Sequence, residues 1–343
     1  MRTSTTMNSR AGRSARTALA VGAIAVLLTA CGGGDEKMKP DTEAAQTAVP
    51  SMEASQNTLT PEELPTALLE GQHKEIYARF SLTLKEAISE EDLTATAEGF
   101  IEGIESLALS TTLFHNGTEQ RTWLSNTGNK GMMAIFDPEG VILGIQVLEL
   151  ASSPETDAKL TKVEYALPFE GDWLVYWGGT NVFENYHYEY ESQRYAYDFI
   201  QAKDNYSYTG DPLKNESYYA FGKKIFAPAD GTVVSVVNEI ADNEPVGVMN
   251  PKQPAGNVVV IDHGGEYSYL AHLKQGSAAV KAGDQVKQGD FIGLTGNSGN
   301  SSEPHLHFQV SDGADLFAAK AINILWEGKL KPVQGETVTP IAP

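Results

Sequence analysis

The chain has 343 residues, of which 41% are hydrophobic and 9% aromatic, so it is long enough for two or three domains with their own cores. The formal net charge is −20 at pH 7. That balance excludes nucleic acid as an expected partner, because phosphate binding requires a basic patch.

Arg2, Arg10, Arg13 and Arg16 form a positive start, followed by the apolar run "ALAVGAIAVLLTA". The run is too short to span a bilayer as a mature helix. It ends in Leu28-Thr29-Ala30-Cys31. This resembles the lipobox of bacterial lipoproteins, in which cleavage precedes a cysteine that then carries lipid. Residues 1–30 are therefore expected to be a signal peptide and Cys31 the lipidation site. The implied protein is exported and anchored to the bacterial cell membrane or envelope. The alternative is an ordinary secretory signal with a coincidental cysteine. Cys31 is the one cysteine in the chain, so no disulfide is expected. Residues 31–58 are small, polar and proline-dotted, and they read as a flexible tether.

Residues 59–155 read as a small α+β domain. "TPEELPTALLEGQHKEIYARFSLTLKEAI" starts with Thr60, Pro61 and Glu63, a capping-box spacing that predicts a helix. Leu64, Leu68, Leu69, Ile76, Tyr77 and Phe80 supply its apolar stripe. A second helix is expected after Ser89, with Leu93, Phe100, Ile101 and Ile104 facing inward. "MMAIF" and "VILGIQVLEL", joined by Asp137-Pro138-Glu139-Gly140, predict a β-hairpin. The element order resembles the cone-shaped, nuclear-transport-factor-like domains. His73 and His115 have no acidic or histidine partner at metal spacing and are expected to be surface or cap residues. This segment offers no chemistry and is assigned a packing, spacing or partner-binding role.

Residues 160–335 change character. Short β-type runs such as "KVEYALPF", "GNVVVIDHG", "YSYLAHL" and "HLHFQV" alternate with glycine turns, predicting an all-β antiparallel domain. Trp173, Trp177, Tyr186, Tyr188, Tyr190, Tyr195 and Tyr197 crowd its entry. They either close the end of the sheet or wall a groove for a polymeric substrate. Five of the seven histidines fall in this half. His305 and His307 occupy positions i and i+2 of a strand, so both imidazoles face the same side, about 6.6–6.8 Å apart. His272 ends a strand, Asp198 closes "QRYAYDF", and His187 sits in "NYHYEY". A catalytic zinc takes three ligands of the His/Asp/Glu kind, an open position and a nearby base, and these residues suffice for that set. His263, after "VVVID" and beside two glycines, reads as structural.

"KKIFAPADGTVVSVV", "GNVVVIDHGGEYSYLAHL" and "VKAGDQVKQGDFIGLTGNSGNSSEPHLHFQV" together resemble the lysostaphin/LytM-type zinc metallopeptidases. The resemblance covers about residues 170–330. It implies Zn2+ as cofactor, peptidoglycan peptides as substrate, and hydrolysis of peptide bonds in cell-wall cross-links. It implies Asp198 and His307 as metal ligands, and His272 and His305 as non-ligand catalytic histidines that move protons or stabilise an oxyanion. Gly283-Asp284 and Gly289-Asp290 are expected to punctuate a hairpin, and Gly296 and Gly299 to let the backbone pass close to the site.

One position departs from the family. The first ligand is usually a histidine four residues before the aspartate, and here Arg194 stands there. Arginine stays protonated and has no lone pair for a metal. Either His187 folds back as the third ligand, or Arg194 pairs with Asp198 and the domain is a degenerate module that binds cell wall or activates a cell-wall amidase. His187 is equally open between that ligand role and the aromatic-cluster surface. "VKAGDQVKQGDFIG" also resembles the hairpin of biotinyl and lipoyl carriers, but the modifiable lysine turn is missing and Pro-His-Leu-His has no place in a carrier.

Overall fold

The computed structural model describes residues 59–341. The expected signal peptide, Cys31 and the tether lie outside the described residues. The fold is mostly antiparallel β-sheet with a few helices at its start.

Four helices open it: α1 (Leu64–Leu69), α2 (His73–Ala78), α3 (Leu82–Ala87) and α4 (Glu90–Ile101). The single helix expected from Thr60 is thus three short ones. Glu63 does bond back to the Thr60 N–H at 2.9 Å, but helical geometry begins only at Leu64. Gly71 adopts φ +73°, which ends the first piece. At Phe80 the chain extends to bridge Ile142, and the Ser81 N–H donates to the Ile142 carbonyl at 2.9 Å. Pairing with the sheet therefore overrides helix propensity there, and Ser81 then caps α3. Ser89 caps α4 through a reciprocal box with Asp92.

These helices cover a four-stranded antiparallel meander: β1 (Leu107–His115), β2 (Thr118–Ser125), β3 (Lys130–Phe136) and β4 (Ile142–Glu149). The β3–β4 hairpin is the expected one. β1 and β2 are absent from the sequence-based expectation, although their Asn116-Gly117 turn carries the strongest short-range hairpin signal. Leu64, Leu68, Ile76, Phe80, Leu93, Phe100, Trp123, Met132 and Phe136 fill the core between helices and sheet.

A short helix α5 (Pro154–Asp157) leads into the larger β region. Its strands are β5 (Leu160–Tyr165), β6 (Trp173–Trp177), β7 (Tyr197–Ile200), β8 (Lys224–Phe226), β9 (Gly231–Val237), β10 (Asn257–Asp262), β11 (Tyr267–Leu273), β12 (Gln285–Val286), β13 (Phe291–Leu294), β14 (Leu306–Ser311), β15 (Asn323–Trp326) and β16 (Thr337–Val338). Eight of them form one antiparallel sheet in the order β12-β9-β10-β11-β14-β7-β6-β16. β8 pairs with β13, and β5 with β15 in parallel. The Gly-Asp pairs do not punctuate one hairpin, because β12 joins β9 while β13 joins β8. They make two like turns instead, in which Asp284 accepts from the Lys281 N–H and Asp290 from the Lys287 N–H.

β14 is the strand on which the site depends. Leu306, Phe308 and Val310 point into a core with Tyr165, Trp173, Phe199 and Trp326, and all seven are at most 1% exposed. By strand alternation His305, His307 and Gln309 face the opposite side. Phe308 packs against Trp326 with ring centroids 5.3 Å apart. Phe308→Ala should therefore cost about 3–5 kcal/mol of stability in urea unfolding. A loss below about 1 kcal/mol would show that the strand is held by something other than this packing.

Candidate metal centre

Strand register does the first part of the assembly. His307 on β14 lies directly opposite Asp198 on β7, and Ala271, next to His272, lies opposite His307 on β11. His305 sits two residues before His307 on the same face. The His307 Nδ1 lies 2.9 Å from Asp198 Oδ1, and His305 Nε2 lies 3.6 Å from the same oxygen. The His272 ring is 4.7 Å from that of His305 and 5.7 Å from that of His307.

His187 arrives by a different route. The chain between β6 and β7 forms a short 3-10 turn over Tyr186–Glu189, capped by Asn185. The Tyr188 and Tyr195 hydroxyls donate to the Asp157 carboxylate on α5 and pin this segment. His187 Nε2 then lies 3.7 Å from Asp198 Oδ2, and its ring is 4.9 Å from that of His307. One ligand atom from each of His187, Asp198 and His307 lies within 4.8 Å of the others.

Arg194 is turned away. Its Nε donates to the Tyr188 carbonyl at 3.1 Å, and its guanidinium lies over the Tyr188 ring at 5.5 Å. The structure therefore contains no Arg194–Asp198 pair. The crowded aromatics differ in burial. Trp173, Tyr188, Tyr195 and Tyr197 are buried, whereas Tyr186 and Tyr190 are 41% and 55% exposed beside His187. His263 is fully engaged, with Nδ1 on the Asp230 carbonyl and Nε2 on Ser268 Oγ, each at 2.8 Å.

The far nitrogen of each site imidazole meets an oxygen. His187 Nδ1 faces Asn185 Oδ1 at 2.8 Å, and the Asn185 amide Nδ2 donates to three carbonyls, so its oxygen must accept. His307 Nε2 faces Gln309 Oε1 at 3.0 Å, and Gln309 Nε2 donates to the Ser192 carbonyl and Ser311 Oγ. His272 Nδ1 donates to the Ser298 carbonyl and His305 Nδ1 to the Glu303 carbonyl, both at 2.8 Å. A carbonyl oxygen only accepts, so each ring carries its proton on that far nitrogen. The near nitrogens keep their lone pairs for the centre.

That arrangement fits a cation. His187 Nε2 is buried with no hydrogen-bond partner among the described residues. His307 Nδ1 and Asp198 Oδ1 stand 2.9 Å apart, which two lone pairs tolerate only with a proton or metal between them. Burial pushes the His187 imidazole down to about 3, against the opposing pull of Asp198. It thus offers a neutral ring, the form a metal binds. Burial raises the Asp198 carboxyl, but His187, His305 and His307 outweigh it and hold the group well below the usual carboxylate range. For His307 burial works downward, and the Asp198 carboxylate overcomes it and raises the imidazole. Burial and the two neighbouring imidazoles hold His272 well below its ordinary value. Two imidazole nitrogens and a carboxylate oxygen are the donor types of a catalytic zinc site.

The backbone around the site is tightly drawn. His272 has φ +57°, a left-handed conformation costing a residue of its type about 1–3 kcal/mol. Gly296 and Gly299 do allow close approach: an added Cβ would meet the Lys274 backbone at 2.4 Å and the Gly256 nitrogen at 2.4 Å.

His115 corrects an expectation. It is largely buried rather than a surface or cap residue. Its ring packs 4.7 Å from Tyr176, and its Nε2 lies 3.6 Å from Glu303 Oε2. Burial pushes His115 down to about 4 and Glu303 up to about 7. Near neutral pH the contact is therefore a polar one between a neutral imidazole and a partly protonated carboxyl. Glu303 was not singled out from sequence, since a lone acid before Pro-His-Leu-His carries no spacing signal.

Residues 217–319 match the family model described as Peptidase family M23. That stretch contains His272, His305 and His307, while His187 and Asp198 precede it. Peptidoglycan DD-endopeptidase ShyA of Vibrio cholerae is 36% identical over 101 residues, 29% of this chain and 20% of that protein. Glycyl-glycine endopeptidase ALE-1 of Staphylococcus capitis is 33% identical over 109 residues, 31% of this chain and 28% of that protein. The chain thus spans less than about a third of the length of these curated relatives. The solved structure of lysostaphin from Staphylococcus simulans is 19% identical, covers 48% of this chain and 51% of that one, and superposes with a TM-score of 0.25.

Burial of Glu303 has a measurable pH signature. Its folded pKa is raised above the unfolded one, so its stabilising contribution is complete at low pH and is lost as pH rises toward about 7. Glu303→Gln cannot titrate. The melting temperature of the variant relative to wild type should therefore rise between about pH 5 and about pH 8. A flat or falling difference would contradict the burial of this carboxyl.

Proposed function

We propose that this chain, which carries a Peptidase family M23 domain over residues 217–319, is a zinc-dependent endopeptidase that hydrolyses peptide bonds in peptidoglycan cross-links. The observation that carries this reading is the convergence of His187, Asp198 and His307 beside two further imidazoles with free Nε2 lone pairs. A matched relative described as a peptidoglycan DD-endopeptidase supports the substrate class.

His187 Nε2, the Asp198 carboxylate and His307 Nδ1 would hold the metal. When bound, zinc would supply Lewis-acid polarisation of a peptide carbonyl and would favour an ionised water. The remaining chemistry belongs to the protein. His305, fixed as the Nδ1–H form by the Glu303 carbonyl, presents Nε2 to take a proton from the attacking water. The proton passes on to the amine that leaves when the C–N bond breaks. His272, fixed likewise by the Ser298 carbonyl, turns a second unprotonated Nε2 toward the same space, where it can take up and return a proton. Its strained, buried placement favours one direction for that nitrogen. The five residues are at most 8% exposed, so charge developing among them is poorly screened by water.

The degenerate-module reading needs Arg194 to neutralise Asp198. Its bonds to Tyr188 speak against that role. We further propose that lipid on Cys31 anchors the mature protein to the bacterial membrane.

Metal content tests the first reading. Purified wild type should hold about one zinc per chain, and His187→Ala and His307→Ala should each lose most of it. Arg194→Ala should keep it. Full zinc in His187→Ala would remove that residue from the ligand set, and no zinc in the metal-replete wild type would leave only a binding module. His305→Ala should keep zinc yet release muropeptides at least about a hundredfold more slowly.

For the anchor, Cys31→Ser should move the protein from the detergent phase to the aqueous phase on phase separation. Equal partitioning of variant and wild type would rule out lipid at Cys31.

A further inference from the structure

The hairpin tip between β1 and β2 reaches from the small sheet to the doorstep of the catalytic strand. Asn116 adopts φ +48° there, and its N–H donates to the Asn205 carbonyl at 2.8 Å. Its side chain bridges two residues: Asn116 Oδ1 accepts from the Ser207 N–H at 2.9 Å, while Nδ2 donates to Ser207 Oγ at 3.1 Å and lies 2.9 Å from His115 Nε2. Ser207 Oγ in turn donates to Glu303 Oε2 at 3.1 Å. The backbone carbonyl of Glu303 is the acceptor that fixes His305 Nδ1. Ser301 Oγ donates to that same carbonyl at 2.8 Å.

We propose that Asn116, Ser207 and Glu303 are positioning residues of the catalytic centre, which fix the tautomer and direction of His305 from the small sheet. This rests on the role given to His305 above.

Three features favour positioning over mere packing. Glu303 is followed by Pro304, which restricts Glu303 to extended backbone and leaves few orientations for its carbonyl. Glu303 Oε1 and His115 Nδ1 are both buried without a hydrogen-bond partner among the described residues. An under-satisfied polar cluster destabilises a fold, so ordinary packing gives no reason for placing it between two sheets. Finally, the side-chain bonds end at Glu303, whose backbone carbonyl holds His305 Nδ1 at 2.8 Å, with Ser301 Oγ 3.1 Å from the same nitrogen. With Nδ1–H held, Nε2 is the free base. Without it the ring can swap tautomers and rotate.

The test uses the full mature chain. Ring-nitrogen NMR shifts of His305 report its tautomer independently of activity. Wild type should show a pure Nδ1–H form. In Glu303→Ala the pattern should move toward a tautomeric mixture. The kcat should fall at least about tenfold, with KM within about twofold and zinc content unchanged. Glu303→Gln, which keeps the Ser207 acceptor, should restore both. An unchanged His305 pattern in Glu303→Ala, with kcat within about twofold, overturns the proposal. Should Glu303→Ala fail to fold, Ser207→Ala takes its place and must shift the His305 pattern in the same direction. If wild type cleaves no peptidoglycan, the endopeptidase reading fails, while the ring-nitrogen pattern still decides the positioning claim.

Discussion

A carboxylate withdrawn from water must be compensated, and in this fold that carboxylate is Asp198. It is 4% exposed on β7, an interior strand of an eight-stranded sheet. Among the described residues its ion-pair neighbours include no lysine or arginine. Its neighbours are the imidazoles of His187, His305 and His307. Neutral rings compensate an anion poorly, and protonating several of them together in a dry site is unfavourable. A divalent cation would solve the problem at once, since it would pair with the carboxylate and use the lone pairs that face it. The rest of the site can be understood as preparation for that ion. Asn185, Gln309, Ser298 and Glu303 each offer an oxygen to the far side of one imidazole. Outer partners of this kind set ring orientation and tautomer before any metal arrives.

The scaffold supports this from two directions. On one face of β14, Leu306, Phe308 and Val310 bind the strand into the core, which keeps the alternate face rigid. Around its start, the glycines at 296 and 299 and the left-handed His272 allow three backbone segments to meet at contact distance. Local strain is tolerated there because packing and backbone hydrogen bonds on both sides hold it in place. The small sheet also contributes, since Asn116 and His115 lie against the residues that lead into His305. The helical and β regions are therefore coupled at the site and not only joined by chain.

The residues of the site were easier to single out in the sequence than the framework of residues 59–150. His305 and His307 could be paired because a strand repeats every two residues, and Asp198, His272 and the glycines followed from a motif order. His187 is different. No period links it to Asp198, and its approach depends on Asn185, Asp157 and two tyrosines acting together. Sequence could offer it only as a histidine in search of a place. Glu303 was missed, and His115 was expected at the surface, for a related reason: their environment is created by contacts between distant segments. The long first helix failed because Phe80 and Ser81 bond to β4, a non-local competitor that apolar spacing cannot reveal. The Asn116-Gly117 hairpin, in contrast, was there to be read.

The central claim is that His187 takes the place that Arg194 leaves vacant. Zinc-edge X-ray absorption on the metal-loaded chain, compared with His187→Ala, tests it most directly. The account predicts a shell of two imidazoles and one carboxylate oxygen, reduced to one imidazole in the variant. An identical two-imidazole shell in both proteins would contradict it.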